Sequence, residues 1–67
     1  MQNAVIITGG GSGLGKALSK LLKSRGEDVI TIDWSGEVNI EADLSTESGR
    51  ALAVKESLNL CKTPKSV

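Results

Sequence analysis

Eight consecutive residues, Thr8-Gly9-Gly10-Gly11-Ser12-Gly13-Leu14-Gly15, contain five glycines. They follow the apolar run Ala4-Val5-Ile6-Ile7 and open into Lys16-Ala17-Leu18-Ser19-Lys20-Leu21-Leu22, whose apolar spacing is helical. A strand, a glycine loop and a helix in that order make a phosphate cradle. Glycine lets a ligand approach bare backbone, and the N–H groups and positive dipole end of the following helix attract an anion. A second chemical element lies eighteen residues after Gly15, where Asp33 ends another β-branched run. A third is the pair Asp43-Leu44. The side chains that most often perform acid–base or metal chemistry are scarce: there is no histidine and no tyrosine, and Cys61 is alone. A lone cysteine without a histidine partner reads as a small apolar helix residue, and it forms neither an internal disulfide nor a cysteine-based metal site.

The elements that must position these residues follow from the pattern. Ala4 to Ile7 is the continuous apolar run of a strand covered on both faces, expected at the centre of a parallel sheet. The next helix carries Leu14, Ala17, Leu18, Leu21 and Leu22 on one stripe, with Lys16, Lys20 and Lys23 displaced onto a solvated face. Arg25 suits the negative end of its dipole, and Gly26 is the expected residue just past its end. Val29-Ile30-Thr31-Ile32 is the second strand, stopping at Asp33; a helix between two strands implies a parallel pair with a right-handed crossover. Trp34 to Glu37 reads as a turn, and Val38 to Ala42 as a weaker third strand whose alternation suits a sheet edge. Ser45 or Thr46 can cap a second helix with Ala51, Val54, Leu58 and Cys61 on its apolar stripe. Gly49 weakens that helix, and Pro64 marks its end. The organisation is one small segment over residues 1–62 with a frayed tail over 63–67.

At the glycine loop the chain resembles a known family. Thr8-Gly9-x-x-x-Gly13-x-Gly15, within a β-α-β order, is similar to the cofactor-binding signature of the short-chain dehydrogenases/reductases. It is not the G-x-G-x-x-G spacing of other dinucleotide folds. The resemblance implies a partial Rossmann-like, three-layer α/β fold with parallel strand order 3-2-1 and two helices. It implies that Gly9 makes the tight turn after the strand, that Gly13 lets the pyrophosphate approach backbone, and that Gly15 lets the helix pack closely on the sheet. Gly11, Ser12 and Leu14 join these as loop contacts of the cofactor. Asp33 would accept hydrogen bonds from the adenosine ribose hydroxyls and repel a 2′-phosphate. No Arg or Lys occupies positions 10 to 12 or 34, so the implied cofactor is NAD in preference to NADP. Asp43 would hydrogen-bond the adenine ring with Leu44 beside it, unless Asp43 simply leads the helix near its positive end. Trp34 is a candidate to stack on the adenine, or else covers the edge of the core. The family's later catalytic Ser and Tyr-x-x-x-Lys pair have no counterpart here. The resemblance covers about residues 3 to 60, the opening third or less of a family member, and no catalytic residue is expected in this chain.

Two alternatives stay open. Gly10-x-x-x-x-Gly15-Lys16 matches a phosphate-loop hydrolase up to its last position, where Ala17 replaces the Ser or Thr that holds Mg²⁺. The other is a truncated, non-catalytic fragment that binds a nucleotide or a partner chain. Eight basic and eight acidic residues balance, without a run of one sign, so neither nucleic acid nor a membrane surface is the expected partner. The start Met1-Gln2-Asn3 lacks a secretion signal, and a cytoplasmic location is expected. With no fourth strand beside it, the first strand would present an open edge; poor folding in isolation, or self-association through that edge, is the expected consequence.

Overall fold

The structure is a computed structural model that describes residues 3–11, 13–61 and 63–66. The apolar run after the N-terminus forms β1 (Asn3–Thr8), and the glycine loop leads into α1 (Gly13–Ser24). There follow β2 (Val29–Asp33), β3 (Ile40–Glu41), α2 (Glu47–Leu60) and β4 (Thr63–Ser66). All strand pairs are parallel, in the order β3-β2-β1-β4, with Val5 opposite Val29 and Ile32 opposite Ile40. The partial Rossmann-like sheet with order 3-2-1 and two helices is therefore present, extended by one strand.

That fourth strand corrects the expected frayed tail over 63–67 at residues 63–66, Val67 lying outside the described residues. Thr63 to Ser66 pair with Asn3 to Ile6 along the other side of β1. Nothing in Thr-Pro-Lys-Ser has a strand's apolar pattern, and Pro64 reads as a stop. A proline without an N–H is nevertheless acceptable on an outermost strand, and the unpaired side of β1 supplies the partner. β1 is thus interior rather than the open edge expected of it. The strand previously lacking a neighbour has one on each side.

Side-chain alternation divides the sheet into two faces. Ala4, Ile30, Ile32, Ile40 and Ala42 form one buried cluster with Ala53 and Cys61, and Ile6 and Leu44 pack against it. This is the face of α2. Ile7, Val29 and Thr31 are buried on the opposite side, where Lys23 of α1 borders the same depression as Thr31. Ile30 is completely inaccessible, as a central residue covered on both faces should be.

Both helices sit on the sheet in a different rotation from the one the large apolar residues suggest. In α1, Ser19 is buried and Gly15, Leu18 and Leu22 are half-buried, at the i, i+3, i+4, i+7 spacing of one face; Leu14, Ala17 and Leu21 are turned outward. In α2, Gly49, Ala53 and Ser57 face the sheet, whereas Ala51 is exposed and Val54 and Leu58 are 60% and 56% exposed. Cys61, just beyond the helix, is the one member of the expected stripe that is buried. Small residues at four-residue intervals let a helix backbone lie close to the strands, and closeness wins over side-chain size here. Gly49 is part of this: a Cβ there would collide with the Asp43 carbonyl, so the glycine permits the turn ahead of α2 to fold under the helix.

The ends of the helices are set locally. Gly26 (φ +84°) closes α1 with its N–H on the Lys23 carbonyl at 3.0 Å and the Glu27 N–H on Leu22 at 3.0 Å, a Schellman arrangement. Thr46, rather than Ser45, caps α2: its hydroxyl oxygen accepts the Gly49 N–H at 2.9 Å and donates to the Asp43 carbonyl at 2.9 Å. β3 is shorter than the expected 38–42 because a side chain replaces the ladder at its start. Asn39 Oδ1 accepts the buried Thr31 N–H at 2.9 Å and the Thr31 hydroxyl at 3.1 Å, while the Asn39 N–H donates to Thr31 Oγ1 at 3.1 Å. Backbone pairing resumes only at Ile40. Among the described residues, no helix is long and apolar enough to cross a membrane.

Candidate functional site

The order of the strands creates the site. β1-α1-β2 builds the sheet in one direction and β3-α2-β4 returns past β1 to build it in the other, so the strand order reverses between β1 and β4. In open α/β sheets, ligands lie in the crevice at the carboxyl ends of the strands at such a reversal. The glycine loop occupies that place.

The loop is anchored to β2 on one side and bare on the other. The Gly9 N–H donates to the Ile32 carbonyl at 2.8 Å, extending the β1–β2 ladder by one step. A Cβ on Gly10 would lie 2.7 Å from Thr31 Cβ, and one on Gly15 would collide with the Gly9 carbonyl. Gly15 thus brings the start of α1 against the loop's own backbone, a closer neighbour than the sheet surface the resemblance implies. Gly9 and Gly13, by contrast, have positive φ (72° and 59°) and open space where a Cβ would point. α1 has no acidic residue in its first turn, so no side chain of that turn neutralises the positive dipole end there.

Asp33 stands at the end of β2, half-buried, with both carboxylate oxygens on backbone donors. Oδ2 accepts the Gly11 N–H at 3.1 Å and Oδ1 accepts the Trp34 N–H at 2.8 Å. Each oxygen keeps accepting capacity for a further donor. Beside it a cleft of about 270 Å³ is lined by Gly9, Ile32, Asp33, Trp34, Ala42, Asp43, Leu44 and Ser45. The chain therefore gathers the strand-end residues of the expected site, Asp33, Trp34, Asp43 and Leu44, around one opening next to Gly9. Gly11 touches Asp33, and Gly13 and Gly15 belong to the start of α1. Leu14 points into solvent, and Ser12 lies outside the described residues. Trp34 is 74% exposed, so it does not cover the edge of the core.

Asp43 stands both at the cleft and ahead of α2. Its Oδ1 accepts the Ser45 hydroxyl at 2.6 Å and the Ser45 N–H at 3.0 Å. Those bonds, the hydroxyl first, hold its carboxyl below the ordinary carboxylate range. Leu44 is half-buried against the core. Ser35, Gly36 and Ser45 also shape the site, and sequence reasoning assigned none of them a role in it. Only the Asp-x-Ser spacing of Asp43 and Ser45 carried a local signal for this, since an Asp side chain commonly bonds the backbone two residues on. Two wider depressions, about 420 and 490 Å³, border Lys23 and Asn39, and the first also reaches Gly36 beside Gly11. Their lining mixes charged side chains, Lys23, Glu27, Asp28, Glu37 and Glu41, with Val29, Thr31, Val38 and glycine.

The crystal structure of the 3-alpha-hydroxysteroid dehydrogenase from Pseudomonas sp. B-0831 complexed with NADH matches 84% of this chain at 50% identity and a TM-score of 0.79. Meso-2,3-butanediol dehydrogenase of Serratia marcescens is 38% identical over 53 residues, and the 3-alpha-hydroxysteroid dehydrogenase/carbonyl reductase of Comamonas testosteroni 35% over 60. This chain belongs to the short-chain dehydrogenase/reductase family. What it matches is the family's N-terminal, cofactor-binding portion. The matches take in 79% and 90% of the chain but only 21% and 23% of the two relatives, and 22% of the solved structure. No protein-family model matches it. With the family established, the phosphate-loop alternative built on Gly10, Gly15 and Lys16 is set aside.

Proposed function

We propose that this chain is the NAD(H)-binding N-terminal segment of a short-chain dehydrogenase/reductase-like oxidoreductase, holding the adenosine-pyrophosphate half of the cofactor. The observation that carries the proposal is the Asp33 carboxylate bonded to Gly11 of the loop, at the rim of the cleft that Asp43 and Leu44 share. A phosphate cradle and a ribose acceptor are thereby joined at one strand-order reversal.

The residues present fit such a cofactor. The open faces of Gly9 and Gly13 leave a cradle that a Cβ would occupy, and the start of α1 attracts the pyrophosphate charge. In this proposal Gly9, Gly11, Ser12, Gly13, Leu14 and Gly15 surround the pyrophosphate. Asp33 accepts the ribose hydroxyls, and Trp34, Asp43 and Leu44 flank the adenine. NAD is favoured over NADP for two reasons. The carboxylate of Asp33 repels a 2′-phosphate, and no cation stands at 10 to 12 or 34 to attract one. The backs of Gly10 and Gly11 are blocked as well, by Thr31 and by Ser35. A bound nicotinamide dinucleotide supplies the hydride chemistry of such an oxidoreductase. The family's tyrosine proton donor has no equivalent in these 67 residues, which contain no tyrosine. The proposed task of this stretch is therefore binding and orientation.

Calorimetric titration with NAD⁺, AMP, NADP⁺ and ATP–Mg²⁺ tests the proposal. NAD⁺ and AMP should bind with affinities within about tenfold of each other, since the adenosine half supplies most of the contacts. NADP⁺ should bind at least about tenfold more weakly than NAD⁺, the effect of roughly one unfavourable charge pair. Equal affinity for NADP⁺, or ATP binding that requires Mg²⁺, would defeat it.

A further inference from the structure

Two glycines face each other beside the site, and neither takes a side chain without a shift of the backbone opposite. A Cβ on Gly11 would stand 2.5 Å from the Ser35 carbonyl oxygen and 2.9 Å from Asp33 Oδ2. A Cβ on Gly36, whose φ is +99°, would stand 3.2 Å from both the Cα and the carbonyl oxygen of Gly11. The turn after β2 therefore lies backbone against backbone on the glycine loop. The turn is also braced within itself: the Trp34 N–H donates to Asp33 Oδ1, and the Val38 N–H donates to the Gly36 carbonyl at 3.1 Å. The second carboxylate oxygen of Asp33 meets the Gly11 N–H.

We propose that Gly36 is a positioning residue for the adenosine end of this site: by letting the β2 turn close onto Gly11, it holds the Asp33 carboxylate against the loop in the orientation that receives the ribose. The proposal rests on the dinucleotide reading given above. Its physical content is pre-organisation. A carboxylate fixed by two backbone donors loses little rotamer freedom when a ligand arrives, whereas a free one must be ordered at that moment. A side chain at 36 meets two obstacles together, a positive φ that L-residues adopt poorly and a contact a few tenths of an ångström too close to Gly11. The turn must then lift, and the Asp33–Gly11 bond lengthens with it.

The test compares wild type, Gly36→Ala and Asp33→Ala by amide hydrogen exchange at Gly11 in the absence of ligand, and by titration with NAD⁺ and NADP⁺. Exchange at Gly11 should be about tenfold faster in both variants than in wild type, the loss of about one hydrogen bond to a charged acceptor. Gly36→Ala should also weaken NAD⁺ binding by about tenfold and shrink the preference over NADP⁺. A glycine needed only for the turn would lower the melting temperature and leave that preference intact, and such a result overturns the proposal. If Gly36→Ala does not fold, equal Gly11 exchange in wild type and Asp33→Ala overturns it directly. Wild type that binds no NAD⁺ defeats the dinucleotide reading and with it the ribose role. Gly11 exchange indifferent to both substitutions defeats the latch alone.

Discussion

Asn39→Ala removes the side chain that stands in for the first rung of the β2–β3 ladder. Thr31 is 4% exposed, and its N–H has the Asn39 side-chain oxygen Oδ1 as acceptor at 2.9 Å. Without it, a buried backbone donor loses its partner, which costs about 1–3 kcal/mol. The depression bordered by Thr31 and Asn39 opens to solvent, so water can approach and the lower half of that range, about 1–2 kcal/mol, is the expected loss. For a domain of this size that lowers the melting temperature by roughly 5–15 °C. Asn39→Asp keeps an acceptor oxygen at the same place and should stay within about 0.5 kcal/mol of wild type. Urea and thermal unfolding followed by far-ultraviolet circular dichroism measure both variants. The contrast between them decides the matter: an alanine variant as stable as the aspartate variant would mean that Thr31 is satisfied without Asn39. Because β3 leads directly to Asp43 and Leu44, the alanine variant should also bind AMP more weakly.

Gly49→Ala distinguishes helix propensity from packing by sign: propensity alone favours alanine by about 1 kcal/mol, but the Asp43 carbonyl occupies the place of the new methyl, so the variant should unfold at lower urea than wild type. Thr46→Ala removes the cap of α2 and should cost about 1 kcal/mol in the same assay. For Asp43, whose carboxyl is held below its ordinary range chiefly by the Ser45 hydroxyl, the folded form binds its proton less readily than the unfolded chain. Its contribution to stability is therefore complete above the ordinary carboxylate pKa and disappears as the pH falls through the lowered value. Ser45→Ala should move the Asp43 titration, followed by carboxyl ¹³C NMR, upward; an unmoved curve would remove Ser45 as the cause.

Local sequence carried the elements whose signals are chemical. Gly26 ends α1 in the left-handed conformation its position suggests, Thr46 is one of two capping residues that could be named, and Asp33 terminates β2. The β-branched run of β2 is buried on both faces as a central strand should be. The rotations of the helices were only partly legible: Leu18 and Leu22 of the expected stripe do turn inward, but a count of large apolar residues also favours Leu14, Leu21, Val54 and Leu58, and the buried positions are Ser19, Ala53 and Ser57 instead. Volume at the interface, rather than hydrophobicity along the helix, decided which face turned inward.

The glycine spacing, with Asp33 beyond it, determined by itself the family and the place of the cradle between β1 and α1. Those features depend on neighbours a few residues apart, or on one strand end, and sequence spacing specifies them. Only the tertiary structure decided that Thr63 to Ser66 form a strand, since their pattern is supplied by the unpaired side of β1 rather than by their own side chains. It also decided that Gly36 meets Gly11, twenty-five positions away along the chain. Contacts between backbones leave no periodicity in the sequence, and it is such a contact that brings the carboxylate of Asp33 to the loop.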